Sequence, residues 1–454
     1  MNVNTDLLLE PQRQHAVRML DSIYINGVSV DLSETGCGKT FVASWVAKNL
    51  NVPVVVVCPK VVIRKWNETL SRFGIKAHAV VNFEKLMRGN TEHLSFTSKV
   101  ATNPSHYNIK FPKDSIIIVD EVHKCKGWKS KNSDFLIACK NQAYKLFLLS
   151  ATAATNPLEM KSFGYASLLH NLTDFRKFLF DSGAYNCRYG GFQIDLGSDA
   201  TRQSMQHMHN RLFNVLKCAG RMTRKQFGSI FPNNRVSADV FDMGANTAKI
   251  QRVYEMMDAE LAALERNSEN YKQHAFAIMT KARRLAELLK VPSMTEKMED
   301  LFDEGVSPVL FVNYTETVEA VVKRLTSTKK MANQVCLLVG GQSEKVRHAE
   351  LDAFQNNTKR IMVANLAAGN AGVDMHDLNG NFPRHSIVSP SFSAINLIQA
   401  LGRIHRAEGK SPCEQTVFFA ADTIEEHACR RVQCKINNID SLNDGDLTSG
   451  INLV

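Results

Sequence analysis

Short apolar runs punctuate both ends of the chain, and between them apolar residues recur at helical spacing. Val28 to Leu32, Val54 to Cys58, His78 to Val81, Ser115 to Val119 and Leu146 to Leu149 each read as a strand. The run Val54-Val-Val-Val-Cys58 is apolar at every position, as expected of a strand buried on both faces of a parallel sheet. Ala16, Val17 and Leu20 share a helical face behind Pro11, which suits a helix start. Another helix begins at Phe41, and a third turns Ile63, Trp66 and Leu70 inward. Strand and helix in alternation predict an open parallel α/β sheet.

The alternation lapses over 157–300, where helical periodicity dominates 157–180 and 247–290. It resumes with Pro308 to Val312, Val335 to Val339, Arg360 to Ala364 and Ser386 to Ser389. The expected organisation is therefore an α/β lobe over 1–156, a mostly helical insertion over 157–300 and a second α/β lobe over 301–454. Gly190-Gly191, between alternating residues, predicts a hairpin near 188–196. Residues 89–112 show no period and read as a surface loop, and the polar tail 435–454 is expected to fray.

Composition narrows the class. A chain of 454 residues with 44% hydrophobic content can bury real cores. Its net charge of +10 fits a nucleic-acid partner without demanding one. No apolar run approaches the roughly 18 residues of a membrane span, so no membrane partner is expected. The N-terminal MNVNTDLLLEPQRQ lacks the charged head and apolar core of a secretory signal. Ten cysteines are scattered with no C-x-x-C pair, which points to reduced, mostly buried thiols in a cytoplasmic setting and away from a structural zinc site.

The chemistry concentrates at Ser33-Glu-Thr-Gly-Cys-Gly-Lys-Thr40, between a strand and a helix. Gly36 and Gly38 let successive backbone N–H groups turn toward an anion, and the helix N-terminus adds its partial charge. Lys39 is placed to reach β- and γ-phosphates, and the Thr40 hydroxyl to ligate Mg²⁺. Gln12 or Gln14 has the amide needed to read an adenine edge. The strand Ser115 to Val119 runs into Asp120-Glu-Val-His123. Asp120 is assigned to the metal, and Glu121 to the attacking water as general base. Lys60, Arg64 and Lys65, and Lys124 and Lys126 in a segment with four lysines in eight residues, are candidates for a nucleic-acid backbone. Gln399, Arg403 and Arg406 fall at i, i+4 and i+7 of a helix read over Asn396 to His405, which suits a γ-phosphate sensor with Arg406 as arginine finger.

Taken in order, these motifs resemble the superfamily-two helicases and translocases, in particular their Swi/Snf-like branch. The marks are Val57-Cys-Pro-Lys60 followed by Trp66 and Glu68, the Asp120-Glu-Val-His123 box followed by Lys124, Lys126 and Gly127, and Ser150-Ala-Thr152 followed by Asn156, Leu158 and Glu159. Arg221 with Lys225 and Pro232, Gln399-Ala-Leu-Gly-Arg-Ile-His-Arg406, and Thr423-Ile-Glu-Glu426 complete the series over about residues 9–430. The resemblance implies two RecA-like lobes with ATP bound between them and DNA across their tops. It implies that Gly372 and Asp374 serve the nucleotide, and that Thr152 and Gly369 couple it to the nucleic acid. The chain's size is similar to that of compact phage- or virus-type members, and a monomer is expected.

These readings converge on an ATP-hydrolysing, Mg²⁺-dependent motor on DNA, moving 3′ to 5′ by family analogy and acting on forked or branched substrates. An RNA helicase, and an ATP-gated DNA clamp that does not unwind, stay open as alternatives.

Overall fold

The computed structural model describes residues 7–88, 91–96, 107–187, 191–264, 271–327, 329–366, 373–390, 393–421, 423 and 425–444. The described residues divide into two compact units, one built from residues up to 228 together with 434–444, the other from 229–433.

The first unit carries six parallel strands: β1 (Val28–Asp31), β2 (Val54–Cys58), β3 (Ala79–Asn82), β6 (Ile116–Asp120), β7 (Lys145–Leu149) and β10 (Ala219–Gly220). Their order is β10-β1-β7-β6-β2-β3. Helices α1 (Glu10–Asn26), α2 (Lys39–Leu50), α3 (Ile63–Arg72) and α4 (Lys131–Asn141) alternate with them. β2 and the first four residues of β6 are buried throughout, which explains why their apolar runs do not alternate, and β1 is buried throughout although Ser29 and Asp31 interrupt its valines.

The second unit repeats the plan. Its parallel sheet runs β11-β16-β15-β12-β14-β13, from β11 (Asn234–Phe241), β12 (Ser307–Val312), β13 (Val335–Leu338), β14 (Ile361–Asn365), β15 (Arg384–Val388) and β16 (Cys413–Ala420). The helices used below are α5 (Ala245–Ala263), α6 (Tyr271–Leu289), α7 (Val291–Asp303), α8 (Thr315–Leu325), α9 (Glu344–Gln355), α10 (Ala394–Leu401) and α11 (Glu425–Asp444). Each is the open parallel α/β sheet that the strand–helix alternation predicts, and each sheet with its helices is a RecA-like lobe, as the resemblance implies.

Four expectations need revision. Residues 157–300 do not form a unit of their own, because the division falls between Gly228 and Ser229. Two strands of the six-stranded sheets lie in that stretch. β10 is only two residues long, and β11 is an edge strand whose Arg235, Ser237 and Asp239 alternate with Val236, Ala238 and Val240, so neither shows a buried strand's continuous run. The 89–112 region holds an antiparallel pair, β4 (Leu94–Phe96) with β5 (Tyr107–Ile109). The tail does not begin at 435: α11 continues to Asp444 and buries Ile436, Ile439 and Leu442. The hairpin is present as β8 (Tyr185–Asn186) with β9 (Phe192–Gln193). Gly191 sits there at φ +84°, while Gly190 lies outside the described residues.

Candidate active site

β1 ends at Asp31, and the loop to α2 curls because Gly36 and Gly38 hold φ of +89° and +82°. A side chain at Gly38 would also push Gln12 aside, since a Cβ there would lie 2.2 Å from Gln12 Nε2. Gln12 is buried on α1 and donates to the Cys37 carbonyl at 2.9 Å, so it is built into the loop. Gln14 is exposed on the same helix and takes no part in this arrangement. Burial pushes the Cys37 thiol up to about 12, which leaves it a neutral wall of the loop. Lys39 opens α2 and donates to the Ser33 and Glu34 carbonyls at 2.6 and 3.1 Å. Burial lowers its pKa, opposed by Asp31 first and Glu121 next.

Beneath the loop lies a pair that motif reading does not single out. Asp31 is fully buried, accepts from Ser33 N at 2.9 Å and lies 3.3 Å from the buried His15 Nε2. Burial alone would raise the Asp31 carboxyl, but His15, Lys39 and Ser33 outweigh it and hold it below its ordinary value. An aspartate inside an apolar strand was the available signal, since such a charge is costly without partners.

β6 delivers Asp120 and Glu121 to the carboxyl edge of the same sheet, one strand beyond β7. Asp120 Oδ2 accepts the Trp66 indole N–H at 2.8 Å. Desolvation, and then the neighbouring Glu121 charge, push the Asp120 carboxyl up to about 6. Glu121 adopts φ +56°, a left-handed conformation that costs a non-glycine residue roughly 1 kcal/mol or more. Its Oε2 lies 3.2 Å from His123 Nδ1, and the same ring nitrogen lies 3.2 Å from Ser150 Oγ. Ser150 Oγ in turn accepts from Thr152 N at 3.1 Å. Thr152 is fully buried, within the chain that runs through Ser150 and His123 to Glu121.

The Thr40 hydroxyl and Asp120 are hard oxygen donors of the kind Mg²⁺ selects. A desolvated carboxylate with a second one beside it is also what a bound cation would satisfy. The residues therefore fit the metal, and the glycine loop with Lys39 fits a polyphosphate. Among the described residues no cluster of three or more His, Cys, Asp or Glu forms a different metal site.

Two arginines missed as loop supports complete this unit. Arg221 donates to Leu32 O at 2.7 Å and lies 3.4 Å from Glu34 Oε1. Arg224 donates to Thr35 Oγ1 at 2.5 Å, and its backbone N–H to Glu34 Oε2 at 2.9 Å.

The surface cations differ in exposure. Lys60, Arg64 and Lys65 are exposed, with Arg64 Nε 2.7 Å from Glu68 Oε1. Lys124 is exposed and sits 6.0 Å over the Phe83 ring. Lys126, by contrast, is held by Glu159 at 2.7 Å. That carboxylate also caps Thr155 N at 2.8 Å, so Lys126 is part of a local brace more than a strand contact.

In the second unit the helix that was to carry three residues on one face is shorter than expected. α10 ends at Leu401 with Gly402 as its cap, so Arg403 and Arg406 lie in the turn that follows. Gln399 is buried on α10. Arg403 Nη1 donates to Val373 O at 3.2 Å, and Arg406 Nε lies 3.1 Å from Asp374 Oδ1. Asp374 thus orients an arginine. Gly369 and Gly372 lie outside the described residues. At the carboxyl ends of β12 and β15 a cavity of about 350 Å³ is lined by Tyr254, Arg283, Tyr314 and Ser393, among others. Its floor is a satisfied network: Glu287 accepts from Asn313 N and Ser389 Oγ, and Lys290 is paired with Glu425 at 2.8 Å.

Comparison with known proteins follows this division. Residues 28–155 match the family described as type III restriction enzyme, res subunit, and residues 285–408 match the helicase conserved C-terminal domain. A protein of Acanthamoeba polyphaga mimivirus, provisionally named an ATP-dependent RNA helicase, is 27% identical over 469 residues, covering 98% of this chain and 85% of its own. Among solved structures, the Sulfolobus solfataricus SWI2/SNF2 ATPase core in complex with dsDNA shares 17% identity over 90% of this chain and 87% of its own, with a TM-score of 0.36. No helix among the described residues is long and apolar enough to cross a membrane. With both halves of the motor matched in order, on the segments that hold the phosphate loop, the paired acids and the late arginines, the chain belongs to the superfamily-two ATP-dependent nucleic-acid helicases.

Proposed function

We propose that the protein is a DNA translocase of the Swi/Snf-like kind, moving 3′ to 5′ and acting on forked or branched DNA as a monomer in the cytoplasm. The observation that carries the chemistry is the gathering of Lys39, Asp120 and Glu121 at one edge of the first sheet. In this reading the Gly36–Thr40 loop binds the phosphates of ATP, with Gln12 on its outer side. Bound Mg²⁺, held through Thr40 and Asp120, would supply positive charge to the phosphate oxygens. Glu121 orients the attacking water and takes its proton, and His123 holds the Glu121 carboxylate in place. Arg403 and Arg406 stabilise charge on the transferred phosphoryl group, with Gln399 and Asp374 setting their positions.

The choice of DNA rests on the Swi/Snf-like motif series, above all Gln399 to Arg406 and the Val57 to Trp66 segment. Support for the track comes from Lys60 and Lys124, exposed cations that follow the carboxyl ends of the neighbouring strands β2 and β6. Lys65 and Arg64 extend that line, and Arg283 and Tyr314 offer donors in the second unit's cavity. RNA is the second reading, favoured by the provisional name of the mimivirus relative.

The test is ATP turnover and strand displacement on matched forked DNA, blunt duplex DNA and RNA. Stimulation by DNA, with forked DNA unwound faster than blunt, is the expected result. Stimulation by RNA alone would transfer the reading to RNA. Turnover without displacement on any substrate would favour the clamp.

A further inference from the structure

We propose that Asn443 and Asp444, the last residues of α11, are positioning residues for ATP turnover, acting through Ala151 and Arg221. No motif of the helicase series covers them, and the sequence places them in a polar tail.

Asn443 is buried and its Nδ2 donates to the Ala151 carbonyl at 2.9 Å. Ala151 is the centre of Ser150-Ala-Thr152, whose Ser150 hydroxyl shares His123 with Glu121. Asp444 Oδ1 lies 2.5 Å from Arg221 Nε, and the same guanidinium donates to Leu32 O in the approach to the phosphate loop. Two consecutive residues thus end on the two segments that flank the nucleotide site.

Arg221, only 9% exposed in its side chain, is the cation that Asp444 meets. The stretch before them is fastened independently of the site. Leu442 is buried in the first unit's core and its carbonyl lies 2.9 Å from His209 Nδ1, while Asn438 donates to Leu196 O at 3.1 Å. Anchoring therefore does not require Asn443 or Asp444 to reach the loop and the Ser-Ala-Thr turn, yet they do.

α11 begins elsewhere. Its first residue, Glu425, is held by the buried Lys290 of the second unit, and from Cys434 the helix belongs to the first unit.

The inference rests on the reading of Lys39 and Glu121 as the ATP site, and its test separates the two. ATP turnover and ATP KM are measured with saturating forked DNA for Asp444→Ala, Asp444→Glu, Asn443→Ala and Lys39→Ala, alongside thermal midpoints. Asp444→Ala is expected to raise KM about fivefold or more, and Asp444→Glu to restore it, with midpoints close to wild type. Asn443→Ala is expected to lower kcat about threefold or more. If Lys39→Ala is inactive while both alanine variants stay within about twofold of wild type in kcat and KM, the positioning role is wrong and the ATP site stands. Losses that follow the thermal midpoint and are not restored by Asp444→Glu also overturn it. If Lys39→Ala keeps full turnover, the underlying site is wrong.

Discussion

The indole N–H of Trp66 is bonded to Asp120 Oδ2 at 2.8 Å, joining residues 54 apart in sequence. It holds the metal-site carboxylate from behind, where desolvation and Glu121 already disfavour its charge. A hydrogen bond to a charged group contributes about 1.5–3 kcal/mol, so Trp66→Phe should cut ATP turnover roughly tenfold. Steady-state turnover at saturating DNA checks this, with the thermal midpoint measured to account for lost packing. Turnover within about twofold of wild type would remove Trp66 from the site.

Asp31 makes the first unit acid-sensitive. Its folded pKa is depressed, so its contribution is fully present above the unfolded value of roughly 4 and is lost as pH falls through the lower folded value. Stability of the wild type should therefore decline below about pH 4 more steeply than that of Asp31→Asn. At neutral pH Asp31→Ala should cost about 3 kcal/mol, because Lys39 loses its largest compensating charge. Denaturant titrations across pH decide both points.

The Lys290–Glu425 pair is buried on both sides. Removing one member strands the other charge, so Lys290→Met should destabilise the second unit by about 3–5 kcal/mol. The double variant Lys290→Met with Glu425→Gln should recover most of that loss. A double-mutant cycle by urea unfolding reads the coupling directly. Additive losses would mean the two side chains do not depend on each other.

Arg406 is oriented by Asp374 at 3.1 Å. If it stabilises the transition state, Arg406→Ala should lower kcat by about 10³ while ATP affinity changes little. Arg406→Lys should recover little, because an ammonium lacks the guanidinium's planar fork. Comparing kcat with nucleotide affinity separates that role from a binding one.

How much of this was legible in the sequence depends on how local each signal is. The phosphate loop was readable because Gly36, Gly38, Lys39 and Thr40 are contiguous and lie between a strand and a helix. Asp120 and Glu121 were readable because an apolar strand ends on them. Gln12 could not be separated from Gln14 without knowing which side of α1 is buried. His15 and Asp444 act through contacts between residues distant in sequence, which no spacing rule announces, and the motif that holds Arg221 does not tell that it braces the phosphate loop. Lys126 illustrates the opposite error: a cation in a lysine-rich run looked free, and Glu159, 33 residues on, takes it. The late helix ends sooner than its sequence suggests, because the polar spacing continues past Gly402, where the backbone stops being helical.

The central claim is that Glu121 activates water for ATP hydrolysis at the Lys39 loop. The most direct measurement is single-turnover hydrolysis by Glu121→Gln at saturating DNA, with ATP binding followed on the same sample. Binding should persist while hydrolysis falls by about 10²–10⁴. Hydrolysis at the wild-type rate would contradict the assignment.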